Sequence, residues 1–149
     1  MLVALLIVVA LLGFALAGAG ELWSRADQRE RERDLLAAGG EIRAAIAQYY
    51  LRTPGTAKRF PGRLEDLLRD ERYPNVMRYL RRLYNDPMTG RPEWGIVEAP
   101  GGGIMGVYSL SPKTPLQRAG FSPENKDFGE AASYDGWRFV FNPEAVRTR

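Results

Sequence analysis

Hydrophobic and polar positions change character in three steps along the chain. From Leu2 to Gly20 no side chain is charged, and the run is apolar on every helical face. At about 1.5 Å rise per residue, a helix of this length roughly spans a ~30 Å hydrocarbon core. The pattern then flips to Glu21, Arg25, Asp27, Arg29, Glu30, Arg31, Glu32, Arg33 and Asp34. Here Glu21–Arg25 and Asp27–Arg31 stand at i,i+4 with the acid N-terminal, the favourable order. Beyond them Leu35, Ile42, Ile46 and Tyr49 form one stripe, which predicts a helix face buried against something C-terminal. No proline precedes Pro54, and most residues from Leu2 to about Arg52 are good helix formers. The pattern therefore predicts one helix in two parts, a transmembrane segment over 2–20 and a stalk over 21–52 that is amphipathic at its end. Gly39-Gly40 interrupts it at a cost of about 1 kcal/mol per glycine relative to alanine, as a weak point, a hinge or a close-packing spot.

From residue 53 to 149 the pattern is that of a globular head. Thr53-Pro54-Gly55-Thr56 ends the helix. Residues Arg63 to Asp70 read as a short helix with Leu64, Leu67 and Leu68 inward. Asn75 can cap a second helix with Val76, Leu80 and Leu83 on one face and Arg78, Arg81 and Arg82 mostly off it. From Asn85 the grammar changes to turns and short alternating runs. Asn85-Asp86-Pro87-Met88-Thr89-Gly90 is a turn-rich loop. Trp94–Val97, Ile104–Leu110 and Trp137–Phe141 read as strands, the first two joined as a hairpin through Pro100-Gly101-Gly102-Gly103. The long segment Ser111–Gly136 is of the kind that is functional or clamped by something. The expected fold is α+β: a long N-terminal helix, membrane-spanning in its first third, packed on a small antiparallel β-sheet head.

Composition narrows the chemistry. Removing the apolar run from 149 residues leaves about 130, enough for one modest domain. Mean hydropathy is −0.31 even with the run included. There is no cysteine and no histidine, which excludes disulfides, thiolate metal sites, cysteine nucleophiles and the usual general base. Glu65 and Asp66 are adjacent and point in different directions, so they do not form an acid–base pair. The sequence predicts no enzyme and no small-molecule substrate. A net charge of +3 with both signs interspersed is weak evidence for nucleic acid.

Ala17-Gly18-Ala19 could serve as a signal-peptide cleavage site, but no basic region precedes the apolar run and the run is long, which favours retention in the membrane. The Arg25–Arg33 flank is balanced by Glu and Asp, so charge bias leaves orientation open.

Several pieces together resemble the type IV pilin-like superfamily, specifically the pseudopilins of type II secretion systems. One is the apolar helix running into an amphipathic one. The segment Asp86-Pro87-Met88-Thr89-Gly90-Arg91-Pro92-Glu93-Trp94 is similar to the Asp-Pro-x-x-Gly-x-Pro turn before the first strand of the major pseudopilin. Val107-Tyr108-Ser109-Leu110 is similar to its Tyr-Ser-Leu strand, and Tyr134-Asp135-Gly136-Trp137 to its late loop before a Trp-bearing strand. The resemblance implies a pilin-like fold, a single pass through the bacterial inner membrane with the head in the periplasm, and partnership with other pseudopilin subunits, inner-membrane secretion components and membrane lipid. The family's processing site is a basic leader ending in Gly, followed by Phe-Thr-Leu-x-Glu. No glutamate lies in residues 1–20, so the expectation is an atypical member or one whose leader lies upstream of Met1.

The major pseudopilin binds calcium in its late loop, which makes Glu124, Asp127, Glu130 and Asp135 the candidate oxygen donors here. Their spacing is compatible with a calcium site and matches no defined motif. The alternative function is a minor pilin of a type IV pilus or DNA-uptake system, with Arg78, Arg81 and Arg82 as a basic patch for DNA.

Overall fold

The computed structural model describes residues 1–147, the side chains of 15–21 and 146–147 excepted. The architecture is α+β: an N-terminal helix and a three-stranded antiparallel sheet. Helix α1 spans Leu2–Leu51. Among the described residues no helix is long and apolar enough to cross a membrane; the uncharged run passes through residues 15–20, whose side chains lie outside the described set. The Ala17–Ala19 site and the Glu21–Arg25 pair lie there too. Asp27–Arg31 does pair, at 3.0 Å.

The predicted stripe faces the head: Leu35, Ile42, Ile46 and Tyr49 are all buried. Helix α1 ends where Thr53 turns its hydroxyl back to the Tyr49 carbonyl (3.1 Å). One turn of 3-10 helix follows at Leu64–Leu67, where Asp66 accepts the Gly62 and Arg63 amides at 3.0 Å each. Strands β1 (Gly95–Glu98), β2 (Ile104–Tyr108) and β3 (Phe139–Val140) pair in sequence order, with Gly95 opposite Tyr108 and Val107 opposite Phe139. The expected hairpin is present. Its return relies on Gly102 and Gly103, at φ 87° and 86°, a region open to glycine. A short helix α2, Pro143–Arg147, follows β3 and was not expected from the sequence.

The sheet lies against the second half of α1, and β3 explains half of the glycine pair. A Cβ on Gly39 would come within 2.4 Å of the Phe139 ring, whereas one on Gly40 would meet nothing within 4 Å. Gly39 is thus a close-packing spot. Around Phe139 stand Phe128, 5.1 Å away and edge-on, and Trp137, stacked on Phe128 at 5.4 Å.

Three sequence expectations are corrected. Residues 75–84 form no helix. The amides of Tyr79 and Leu80 both donate to the Leu67 carbonyl (2.9 and 3.0 Å), and Asp70 bridges to Met77. Those donors are taken by the neighbouring 3-10 turn, so Leu80 is buried while Val76 and Leu83 are exposed. Strand β2 ends at Tyr108 rather than Leu110, because the Leu110 amide and the Ser109 hydroxyl turn to Asp86. The last strand is only Phe139–Val140, since the Trp137 amide closes a turn on the Tyr134 carbonyl (3.0 Å).

Candidate assembly surface and the carboxylates behind it

The first part of α1 is exposed along its described length. Every side chain from Leu2 to Phe14 is exposed, and Leu22 and Trp23 continue the apolar character at 71% and 79% exposure. Such a run of exposed large hydrophobic side chains marks an interaction surface rather than a solvated helix.

What holds the head on the other half of α1 is a set of buried carboxylates. Glu32 is 2% exposed and, among the described residues, takes part in no ion pair. Its Oε1 accepts the amides of Leu116 (2.6 Å) and Gln117 (3.2 Å) and the hydroxyl of Tyr134 (2.8 Å). One turn earlier, Gln28 donates to the Thr114 carbonyl (2.9 Å) and to the Tyr134 hydroxyl (2.8 Å). A buried carboxylate that accepts several donors is compensated without an ion pair. The 111–136 segment is therefore clamped, and α1 is the clamp. Burial raises the Tyr134 phenol to about 12.

Asp86, fully buried, joins two distant motifs. It accepts the Met88 amide (2.9 Å) within its own turn and the Ser109 hydroxyl (2.8 Å) and Leu110 amide (3.2 Å) after β2. The Asp-Pro turn and the Tyr-Ser-Leu strand are thus one hydrogen-bonded unit. In the third motif, Tyr134 and Trp137 are fully buried, and the Trp137 indole donates to the Phe128 carbonyl (3.1 Å).

Asp70 closes the far end of α1. Arg72 grips it through Nη2 at 2.7 Å and Nε at 2.8 Å, and Tyr79 donates to it at 2.9 Å. The same guanidinium reaches the Tyr49 carbonyl (3.0 Å) and lies 3.6 Å over the Tyr49 ring. A cation is thereby placed at the helix C-terminus, where the dipole favours it. Burial pushes the Asp70 carboxyl up, but the bonds from Arg72 and Tyr79 outweigh it and hold the group below its ordinary range. Burial first, then the bond to Asp70, lifts the Tyr79 phenol to about 12.

The four proposed calcium donors do not come together. Glu124 pairs with Arg43 at 2.7 Å, Asp135 accepts the Ser133 hydroxyl, and Asp127 and Glu130 are exposed. Among the described residues no three His, Cys, Asp or Glu side chains are placed to share a metal ion. Arg78, Arg81 and Arg82 are exposed but sit on the irregular segment rather than along a helix ridge. Sequence reasoning missed Glu32, Gln28 and Asp70 as structural nodes. The signal for Glu32 was present: it stands one turn before Leu35 on the apolar stripe, where a carboxylate is out of place unless something bonds it.

No family model, no curated protein and no solved structure matches the chain.

Proposed function

We propose that the chain is a pseudopilin-like structural subunit of a type II secretion (protein export) machinery. In this reading Leu2–Gly20 inserts in the bacterial inner membrane, the head stands in the periplasm, and the partners are other pseudopilin subunits, inner-membrane secretion components and lipid. It has no catalytic role: the buried carboxylates described above each hold a backbone amide, a hydroxyl or a guanidinium in place.

The observation that carries the reading is the division of α1, one half docked to an α+β head and the other offering exposed apolar side chains. The union of the Asp86 turn with Ser109 supports it, because it gives two of the pseudopilin-like motifs a common structural purpose. The test is expression of the full chain in bacterial cells, followed by fractionation and co-purification. The expected result is a membrane-integral protein that brings down an inner-membrane secretion platform. Recovery of the intact chain wholly in the soluble fraction would overturn the reading.

A further inference from the structure

Beyond the apolar run, α1 sorts its charges by face. At about 100° per residue, Arg25, Arg29 and Arg33 fall within a sector of about 80°. Glu30 and Asp34 lie further round, and Asp27 is taken by Arg31. Among the described residues none of Arg25, Arg29, Arg33 and Arg118 takes part in an ion pair. Arg29 and Arg33 line a groove of about 540 Å³ together with Arg118 and Leu116 from the head. A second hollow of about 370 Å³, lined by Leu22, Arg25 and Arg29, continues along the helix towards the apolar run.

The groove is built rather than incidental. The Arg118 Nη1 donates to the Ala131 carbonyl (2.7 Å), which holds the side chain and leaves the remaining donors of its fork for a ligand. The 116–118 backbone beside it is pinned to α1 through Glu32. That carboxylate also borders the groove, but it is buried and its charge is met by the Leu116 and Gln117 amides and the Tyr134 hydroxyl. Three exposed guanidiniums therefore converge from two elements, and guanidinium forks match the oxygens of a phosphate.

Position along α1 says which phosphate. Trp23 is 79% exposed, and an exposed tryptophan just past an apolar run marks the headgroup level of a bilayer. At about 1.5 Å per residue, Gln28 stands about 8 Å past Trp23 and Arg33 about 15 Å. The Gln28 bond to the Thr114 carbonyl (2.9 Å) brings the 113–118 segment down to that height, with Lys113 and Arg118 exposed and Leu116 exposed at 37%. Helical side chains lean towards the helix N-terminus, here towards the apolar run, and arginine stems snorkel so that the charge meets the interface. A headgroup layer extends about 5–8 Å beyond the hydrocarbon on each side, within reach of this rim.

We propose that Arg25, Arg29, Arg33 and Arg118 form a site for the phosphate of an anionic phospholipid headgroup, on which the 113–118 rim of the head rests. This rests on the subunit reading above and adds to it a lipid class and the residues that select it.

The experiment takes the full chain from bacterial membranes into mild detergent and titrates it with phosphatidylglycerol or phosphatidylcholine in mixed micelles, with bound lipid counted by native mass spectrometry. Phosphatidylglycerol should bind saturably and phosphatidylcholine at least tenfold more weakly, since a basic residue near an anionic headgroup contributes about fivefold in affinity. Arg29→Gln with Arg33→Gln should weaken phosphatidylglycerol binding about twentyfold on the same scale. Arg78→Gln with Arg81→Gln removes equal charge from another exposed part of the head and should leave binding unchanged. Equal binding of the two lipids, or equal weakening in the two double variants, overturns the proposal. Displacement of the lipid by an equal concentration of inorganic phosphate also overturns it, because the site would then read a free phosphate. All four arginines are exposed, so an unchanged melting temperature checks that the head remains folded. Fractionation separates the two claims: a membrane-integral chain with no lipid preference breaks this proposal alone, whereas a chain found wholly in the soluble fraction breaks the subunit reading and this proposal with it.

Discussion

Helix α1 has two halves with the same backbone geometry and different supports. From Leu2 to Phe14 every side chain is exposed. From Glu32 to Tyr49 one face is buried against aromatic rings and two β-strands, and polar groups at both ends of that stretch are bonded into the head. Isolated helices are marginal in water, and most helical stability in proteins comes from packing an amphipathic face. The second half has that support within its own chain. Among the described residues the first half has none within the chain, and the subunit proposal gives it lipid and sister helices. Periodicity distinguishes the halves as well as burial does, because only a helix with one wet face needs a stripe.

Substitutions can break or sharpen this contrast. Leu35→Ala removes a fully buried side chain and should cost about 2–5 kcal/mol in urea unfolding followed by tryptophan fluorescence. The same truncation in the first half, Leu6→Ala, should leave head stability within about 0.5 kcal/mol; a comparable loss at both sites would erase the distinction. Glu32→Ala strands the Leu116 and Gln117 amides and the Tyr134 hydroxyl, and should cost roughly 1.5–3 kcal/mol. Faster proteolysis within 111–136 would locate that loss in the clamped segment.

The glycine pair gives a smaller effect with opposite signs. Gly39→Ala collides with the Phe139 ring and should destabilise by about 1–3 kcal/mol. Gly40→Ala meets open space and should stabilise by up to about 1 kcal/mol through helix propensity. Thermal melts of the two variants decide it, and equal shifts would mean the ring can move aside.

Titration separates the two ends of the docked half. Tyr79 and Tyr134 hold their protons to about 12, above the ordinary 10.0. The folded state then binds more protons than the unfolded one, so their stabilisation is full below pH 10 and is lost as pH rises towards 12. Asp70 has the opposite sense: its carboxyl is held below the ordinary 3.8, so its contribution is present above that pH and is lost on acidification below it. Asp70→Asn should flatten the acid limb of the pH–stability curve and leave the Tyr134 share of the alkaline limb in place.

Much of this was legible in the sequence where a single periodicity governed. The helix from Leu2, its buried stripe, the hairpin through Gly102-Gly103 and the Asp86 turn follow from spacing and turn chemistry. Residues 75–84 were misread because Val76, Leu80 and Leu83 carry helical spacing, while their backbone donors are claimed by a carbonyl in another element. That competition is tertiary and leaves no local trace. The strand ends were misjudged for the same reason, Asp86 and Tyr134 capturing donors that strand propensity assigns to the ladder. The candidate calcium donors stand apart among the described residues, acidic residues close in sequence sharing no enforced direction in a loop of 3-10 turns.

The Glu32–Tyr134 bond links positions 102 residues apart, and Gly39 meets Phe139 across a similar interval. During synthesis the stripe on α1 therefore emerges long before the rings that cover it. Pairings this far apart in sequence slow folding, and a ribosome-bound chain lacking β3 would leave the Gly39 part of the stripe without its covering ring. Release before Phe139 should therefore yield a loosened head that aggregates more readily than one carrying β3, which makes the last strand the commitment step for this fold.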